Sequence, residues 1–227
     1  MKEKIMKRSE INNAIKWAEE LLEKRKIFLP SFAHKTLEDW DAQRDVLIKK
    51  VMLGWDVTDF GLGNFDKVGA VLFTVRNGEL EEQNRVTYCE KYIFLKDGNC
   101  QEIPMHYHIN KTEDIINRGG GILCVQVCNK NADGTVDTVS PVEVYMDGVM
   151  RTFSPTDIIE IEPGASIRLT PYIYHRFYAK TGEGDLVVGE VSKVNDDHND
   201  NIFASPTKRF CTTEEDEPKY RLLVCEY

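Results

Sequence analysis

Apolar positions in the first fifty residues recur at helical spacing, whereas those beyond Phe65 fall in short runs broken by turn residues. Ile11, Ile15, Ala18 and Leu22, flanked by Ala14 and Leu21, form one stripe of an amphipathic helix. Ser9 is placed to cap it, Glu10 suits its first turn, and Lys24-Arg25-Lys26 suits its negative end. A second helical stretch is expected over Leu37–Leu53, after Pro30. Beyond it, strands are expected at Ala70–Val75, Val86–Leu95, Ile122–Val127, Val142–Met146, Asp157–Ile161, Ser166–Leu169 and Asp185–Val191. Between them sit Asn77-Gly78, Asp97-Gly98, Asp133-Gly134, Asp147-Gly148 and Pro163-Gly164, pairs that supply the positive φ of tight turns. Strands so spaced, without helices between them, predict an antiparallel sandwich or barrel rather than βαβ units. The stretch Asn195–Pro218 reads as a polar tail anchored by Phe203, Pro206 and Phe210. The reading is mainly β: an N-terminal helical layer over residues 1–64 and a β-barrel with its tail over 65–227.

Charge and composition narrow the classes. Against 29 Lys+Arg stand 38 Asp+Glu, a net charge of −9 over 227 residues, which argues against nucleic acid or an anionic membrane as partner. The first eight residues are charged and lack the apolar core of a signal peptide, and no run reaches the roughly 18 apolar residues of a membrane span. The six cysteines, Cys89, Cys100, Cys124, Cys128, Cys211 and Cys225, contain no CxxC pair. A reducing cytoplasm is therefore the expected setting.

Five histidines remain, and two are a single residue apart. In a strand, His106 and His108 point to one face, about 6–7 Å apart along the chain. Glu113 follows, then the turn Gly119-Gly120-Gly121, and later Pro171-Tyr172-Ile173-Tyr174-His175. His106, His108, Glu113 and His175 together make an N₃O set suited to divalent Mn, Fe, Co, Ni or Zn, with positions left open. His34, at a helix boundary, and His198, in the polar tail, are read as bystanders.

The spacing His106-x-His108-x₄-Glu113-x₆-Gly120 resembles the first cupin motif. Pro171 and His175 match the second, although Gly164 lies one residue too far upstream, Ile173 replaces its internal glycine and Ala179 its asparagine. The resemblance implies a small antiparallel β-barrel with a metal inside. A narrower resemblance covers most of the chain. It is carried by Met6-Lys7-Arg8-Ser9-Glu10-Ile11-Asn12, Leu53-Gly54-Trp55-Asp56-Val57-Thr58-Asp59-Phe60-Gly61, Lys111–Gly121, Gly189–Asp197 and Glu214-Glu215-Asp216-Glu217-Pro218. These stretches are similar to the D-lyxose ketol-isomerase family of cupins. That similarity implies interconversion of D-lyxose with D-xylulose, and of D-mannose with D-fructose, with Mn²⁺ preferred.

Aldose–ketose isomerisation develops negative charge on the C1 and C2 oxygens, which a divalent cation stabilises, and an enediol route needs a base near C2. Glu190 is the first candidate base, because it ends the apolar strand Leu186-Val187-Val188-Gly189; the competing reading is a carboxylate paired at the barrel rim. Lys111 either orients a substrate oxygen or is a solvated loop lysine, and Lys91 is a second candidate for that task. Asp197 either bonds a sugar hydroxyl or closes a local Asx turn. Trp55 is read as core rather than sugar platform. The expected partner is a free monosaccharide, and the expected assembly a homodimer. The rival readings are a cupin phosphosugar isomerase, which wants a cluster of cations for phosphate, and a sugar-binding cupin without a base.

Overall fold

The computed structural model describes residues 5–80, 85–97 and 101–227. Gly98, Cys100 and residues 1–4, which entered the reading above, lie outside them. Helix α1 spans Arg8–Arg25, two residues longer at its start than expected. Lys7 is the N-cap, its N–H donating to Glu10 Oε2 at 2.9 Å. Ser9 lies inside the first turn and donates its N–H and hydroxyl to Asp216 at 2.9 and 2.7 Å. The acidic run of the C-terminal segment thus takes over the cap, because carboxylates are favoured at the positive end of a helix. Of the second expected helix, only a 3₁₀ turn at Leu37–Asp39 and the short α2 (Val46–Lys50) form. Asp41 explains the gap between them: its Oδ1 accepts the N–H groups of Gln43 and Arg44, a local alternative to helical bonding.

The strands are β1 (Ile5–Lys7), β2 (Gly54–Thr58), β3 (Ala70–Arg76), β4 (Tyr88–Leu95), β5 (Glu102–His108) and β6 (Glu113–Asn117). Then come β7 (Leu123–Lys130), β8 (Val136–Asp137), β9 (Val142–Met146), β10 (Val149–Phe153) and β11 (Ile159–Ile161). The last are β12 (Ser166–Leu169), β13 (Ile173–Ala179), β14 (Leu186–Lys193), β15 (Asn201–Phe203) and β16 (Thr212–Glu214). One sheet runs β10-β9-β12-β6-β14-β4-β3-β2 and the other β11-β7-β13-β5-β15, with β8 paired to β7. The pairings within both are antiparallel; β1 and β16 form a separate parallel pair.

Two apolar layers hold this frame. Leu72, Ile93, Leu95, Ile115, Leu186 and Val188 meet Val125, Val127 and Phe177 between the sheets. Their alternates Val71, Phe73, Phe94 and Val187 pack outward with Trp55 against Ile11, Ile15 and Ala18 of α1. Strands β3, β4 and β14 are therefore buried on both faces, which explains their nearly continuous apolar runs. Trp55 is core, with its Nε1–H donating to Ala33 O at 2.9 Å. The architecture is mainly β, a cupin-type antiparallel barrel wearing an N-terminal helical layer. Two expectations need correcting. Residues 54–58, inside the segment read as helical, are a strand of the larger sheet. The polar stretch after Asn195 is no peripheral tail: β15 lies beside β5, and β16 returns to the start of the chain.

Candidate active site

Strand alternation puts His106 and His108 on the inward face of β5, and the antiparallel pairing with β13 sets His175 opposite His106. The ring centroids lie 4.1 Å (His106–His175), 5.1 Å (His106–His108) and 5.3 Å (His108–His175) apart. Each ring is held from behind through Nδ1: His106 by Pro104 O at 2.8 Å, His108 by Asp200 O at 3.2 Å, His175 by Ile173 O at 3.1 Å. A carbonyl only accepts, so Nδ1 is a protonated nitrogen, and in the neutral tautomer Nε2 carries the lone pair. The three imidazoles offer ligand nitrogens within 4.8 Å of one another.

From the facing sheet, the first residue of β6 completes the group. Glu113 Oε1 stands 3.4 Å from His108 Nε2 and 3.0 Å from His175 Nε2, and all four side chains are buried. Both of those Nε2 atoms are buried without a hydrogen-bond partner. Lone pairs confronting a carboxylate repel unless positive charge lies between them. Burial, then the neighbouring Lys111, hold His108 below the usual histidine range, so a proton on that ring is a poor source of that charge. Three neutral nitrogens and one carboxylate oxygen are instead the donor set of a divalent transition ion, and the residues present fit one.

Beside this group lies a buried ion triad. Lys111 Nζ is 2.8 Å from Glu113 Oε2 and 2.8 Å from Glu190 Oε1. Glu190 sits on β14 in line with Leu186 and Val188, so alternation turns it inward, opposite Lys91 of β4. Its Oε1 also accepts from Ser192 Oγ at 3.0 Å. Burial alone would raise the Glu190 carboxyl, but Lys111 and Lys91 outweigh it and hold it below its ordinary value. Likewise burial would lower Lys111, but Glu113 and Glu190 hold it above the usual lysine range. The triad is ionised through neutral pH.

A second network forms the adjoining wall. Lys91 Nζ donates to Asn195 Oδ1 at 2.6 Å and lies 3.7 Å from Asp197 Oδ1. Arg209 Nε donates to the same Asp197 oxygen at 3.0 Å and its NH1 to Asp56 Oδ2 at 2.5 Å. The two networks border one cavity, partly open to solvent. His106, His108, Glu113, Lys111, Glu190, Lys91 and Asp197 all line it, with an apolar side built from Phe60, Ile103 and Phe203. Sequence reasoning brought these seven polar residues together but missed the lining residues Arg209 and Asn201, and Asp200 behind them, all in the supposed tail. His34 and His198 are absent from the cavity lining.

The glycine turn has a steric cause. Gly120 has φ +119°, and a Cβ there would sit 1.9 Å from Asp185 O, so the chain entering β7 passes the turn before β14 only without a side chain. That close pass keeps β6 and β14, and with them Glu113 and Glu190, in one layer.

The model of the D-lyxose isomerase family matches residues 6–227. The chain belongs to the D-lyxose isomerase family. Among curated relatives it is 42% identical over 227 residues to the D-lyxose/D-mannose isomerase of Serratia proteamaculans, covering 98% of both chains. It is 41% identical to that of Escherichia coli O157:H7, again over 98% of both. By family it is an aldose–ketose isomerase. The L-ribose isomerase of Cellulomonas parahominis, solved with L-ribose, superposes with a TM-score of 0.56 over 93% of this chain and 99% of its own. At 15% identity that likeness shows a shared fold.

Proposed function

We propose that this family member interconverts D-lyxose with D-xylulose and D-mannose with D-fructose, using a divalent metal, Mn²⁺ foremost, held by His106, His108, Glu113 and His175. The observation that carries the reading is the pair of buried, unpartnered Nε2 atoms facing Glu113, one ion triad away from Glu190. A divalent ion there supplies Lewis acidity toward the C1 and C2 oxygens of the sugar.

The chain's own residues do the rest. Glu190 is the base: both of its described hydrogen bonds land on Oε1, and Oε2 takes the C2 proton and returns it at C1, while the proton of the O2 hydroxyl passes to O1. Ser192 Oγ fixes the carboxylate plane. Lys111, bridging Glu113 and Glu190, presents its ammonium to the oxygens as they gain charge. Lys91 and Asp197 take hydroxyls farther along the sugar. Phe60 and Phe203, in contact with each other and Phe203 with His106, exclude water from the apolar side of the cavity.

A phosphorylated substrate fits less well. Each cavity cation is already matched by a carboxylate: Lys111 by Glu113 and Glu190, Arg209 by Asp56 and Asp197, Lys91 by Asp197. A sugar-binding protein without turnover would not need Glu190 beside its polar contacts. Protein stripped with chelator and refilled with Mn²⁺ should convert D-lyxose to D-xylulose and D-mannose to D-fructose. Absence of turnover on free aldoses with Mn²⁺, Co²⁺ and Fe²⁺ alike would overturn the reading.

A further inference from the structure

The loop Ile109–Thr112 crosses from one sheet to the other, and its length and shape decide whether His108 and Glu113 meet. A four-residue crossing leaves backbone N–H groups without strand partners, and such an orphan is costly where it is buried, as at Lys111. Three of them converge on one side chain. Asp200 Oδ1 accepts from Ile109 N at 2.9 Å and Asn110 N at 2.7 Å, and Oδ2 accepts from Lys111 N at 3.0 Å. The backbone carbonyl of the same residue accepts the Nδ1–H of His108 at 3.2 Å. Asp200 is itself buried and does not line the cavity. Its neighbour Asn201 is the register partner of His108 through β15.

We infer that Asp200 is a positioning residue for the isomerase reaction. Without touching the sugar, it sets the His108 tautomer and anchors the Lys111 backbone, whose ammonium then bridges Glu113 and Glu190. A carboxylate is needed because only its two oxygens can accept three amide hydrogens lying on one side of it. The chain thus spends a residue some ninety positions downstream to hold the loop between two ligand positions.

This inference rests on the ligand and base assignments proposed above, and one set of measurements separates the two. Mn²⁺ affinity by chelator competition, kcat, KM and Tm are compared in wild type, D200A and D200N. Asn keeps the volume and one oxygen but turns an N–H toward the Lys111 amide, so it serves where Ala fails to fold. Both variants keep the backbone carbonyl that holds His108, so they read the side-chain anchor of the loop alone; a fall of about 100-fold in kcat, the scale of a small misplacement of a reacting group, together with weaker Mn²⁺ binding, KM nearly unchanged and a cooperative melt retained, supports the inference. A folded variant that binds Mn²⁺ and turns over sugar as wild type does overturns it while leaving the proposed activity standing. Failure of the wild-type chain itself to take up Mn²⁺ removes the ligand assignment, and this inference with it.

Discussion

His106 and His175 are register partners across β5 and β13, their rings 4.1 Å apart. Burial and the neighbouring rings hold His106 well below the usual histidine range, and the Nδ1 atoms of both rings are tied back to carbonyls, which turns Nε2 toward the centre. Replacing either by Ala should abolish Mn²⁺ uptake and turnover together, with the circular dichroism spectrum unchanged. A variant that keeps full activity would remove that histidine from the ligand set.

The Lys111 bridge predicts a shift in pH dependence. In a K111M variant, burial and the Glu113 charge act on Glu190 without the main cation that opposes them, so its carboxyl rises. The acid limb of the kcat/KM profile should therefore move to higher pH. E190Q should retain Mn²⁺ and lose about 10²- to 10⁴-fold in kcat, the usual worth of a positioned base. An unmoved acid limb in K111M, or an active E190Q, would count against these roles.

Arg209, its side chain 12% exposed, is the counter-charge of two buried carboxylates, Asp56 and Asp197. Removing one partner of a buried pair strands the other, at a cost of about 3–5 kcal/mol. R209A should lose stability on that scale in urea unfolding, and its KM should rise as the cavity wall loosens. A variant as stable as wild type would show the network to be a weak one.

Asp197 gives an acid-stability test. Burial would raise its carboxyl, but Arg209, Lys91 and Lys111 hold it far below the ordinary range. A group depressed in the folded state contributes fully above its unfolded pKa of about 3.9 and loses that contribution as pH falls below it. The unfolding free-energy gap between wild type and D197N should be widest at neutral pH and shrink from about pH 5 downward. A gap independent of pH would mean that Asp197 is held by shape rather than by charge.

What was legible in the sequence was whatever local spacing encodes. The i, i+2 pair His106 and His108, Glu113 five residues on, and the polar residues Lys91 and Glu190 inside apolar strands declare themselves through alternation, and Val142–Met146 and Ser166–Leu169 form as expected. Illegible were roles assigned only by a distant return of the chain. Asp200 and Arg209 sit in an Asx-rich stretch that reads as loop, and their partners lie about 90 and 150 residues away in sequence. The start of α1 was misplaced for the same reason, since Asp216 rather than Ser9 supplies the capping oxygens.

The late return of the chain also sets a timetable for synthesis. Residues through Lys193 contain both facing sheets except β15, yet Asp197, Asp200, Asn201, Phe203 and Arg209 all follow, and β16 and Glu215 close on β1 and Arg8 later still. On the ribosome the barrel can gather around its apolar core while the ligand pocket still lacks a wall and the bridging loop its clasp. A nascent chain interrupted before residue 200 is then a nearly complete barrel with no competence for its sugar. The pocket closes only once the stretch from Asp197 to Arg209 has been made.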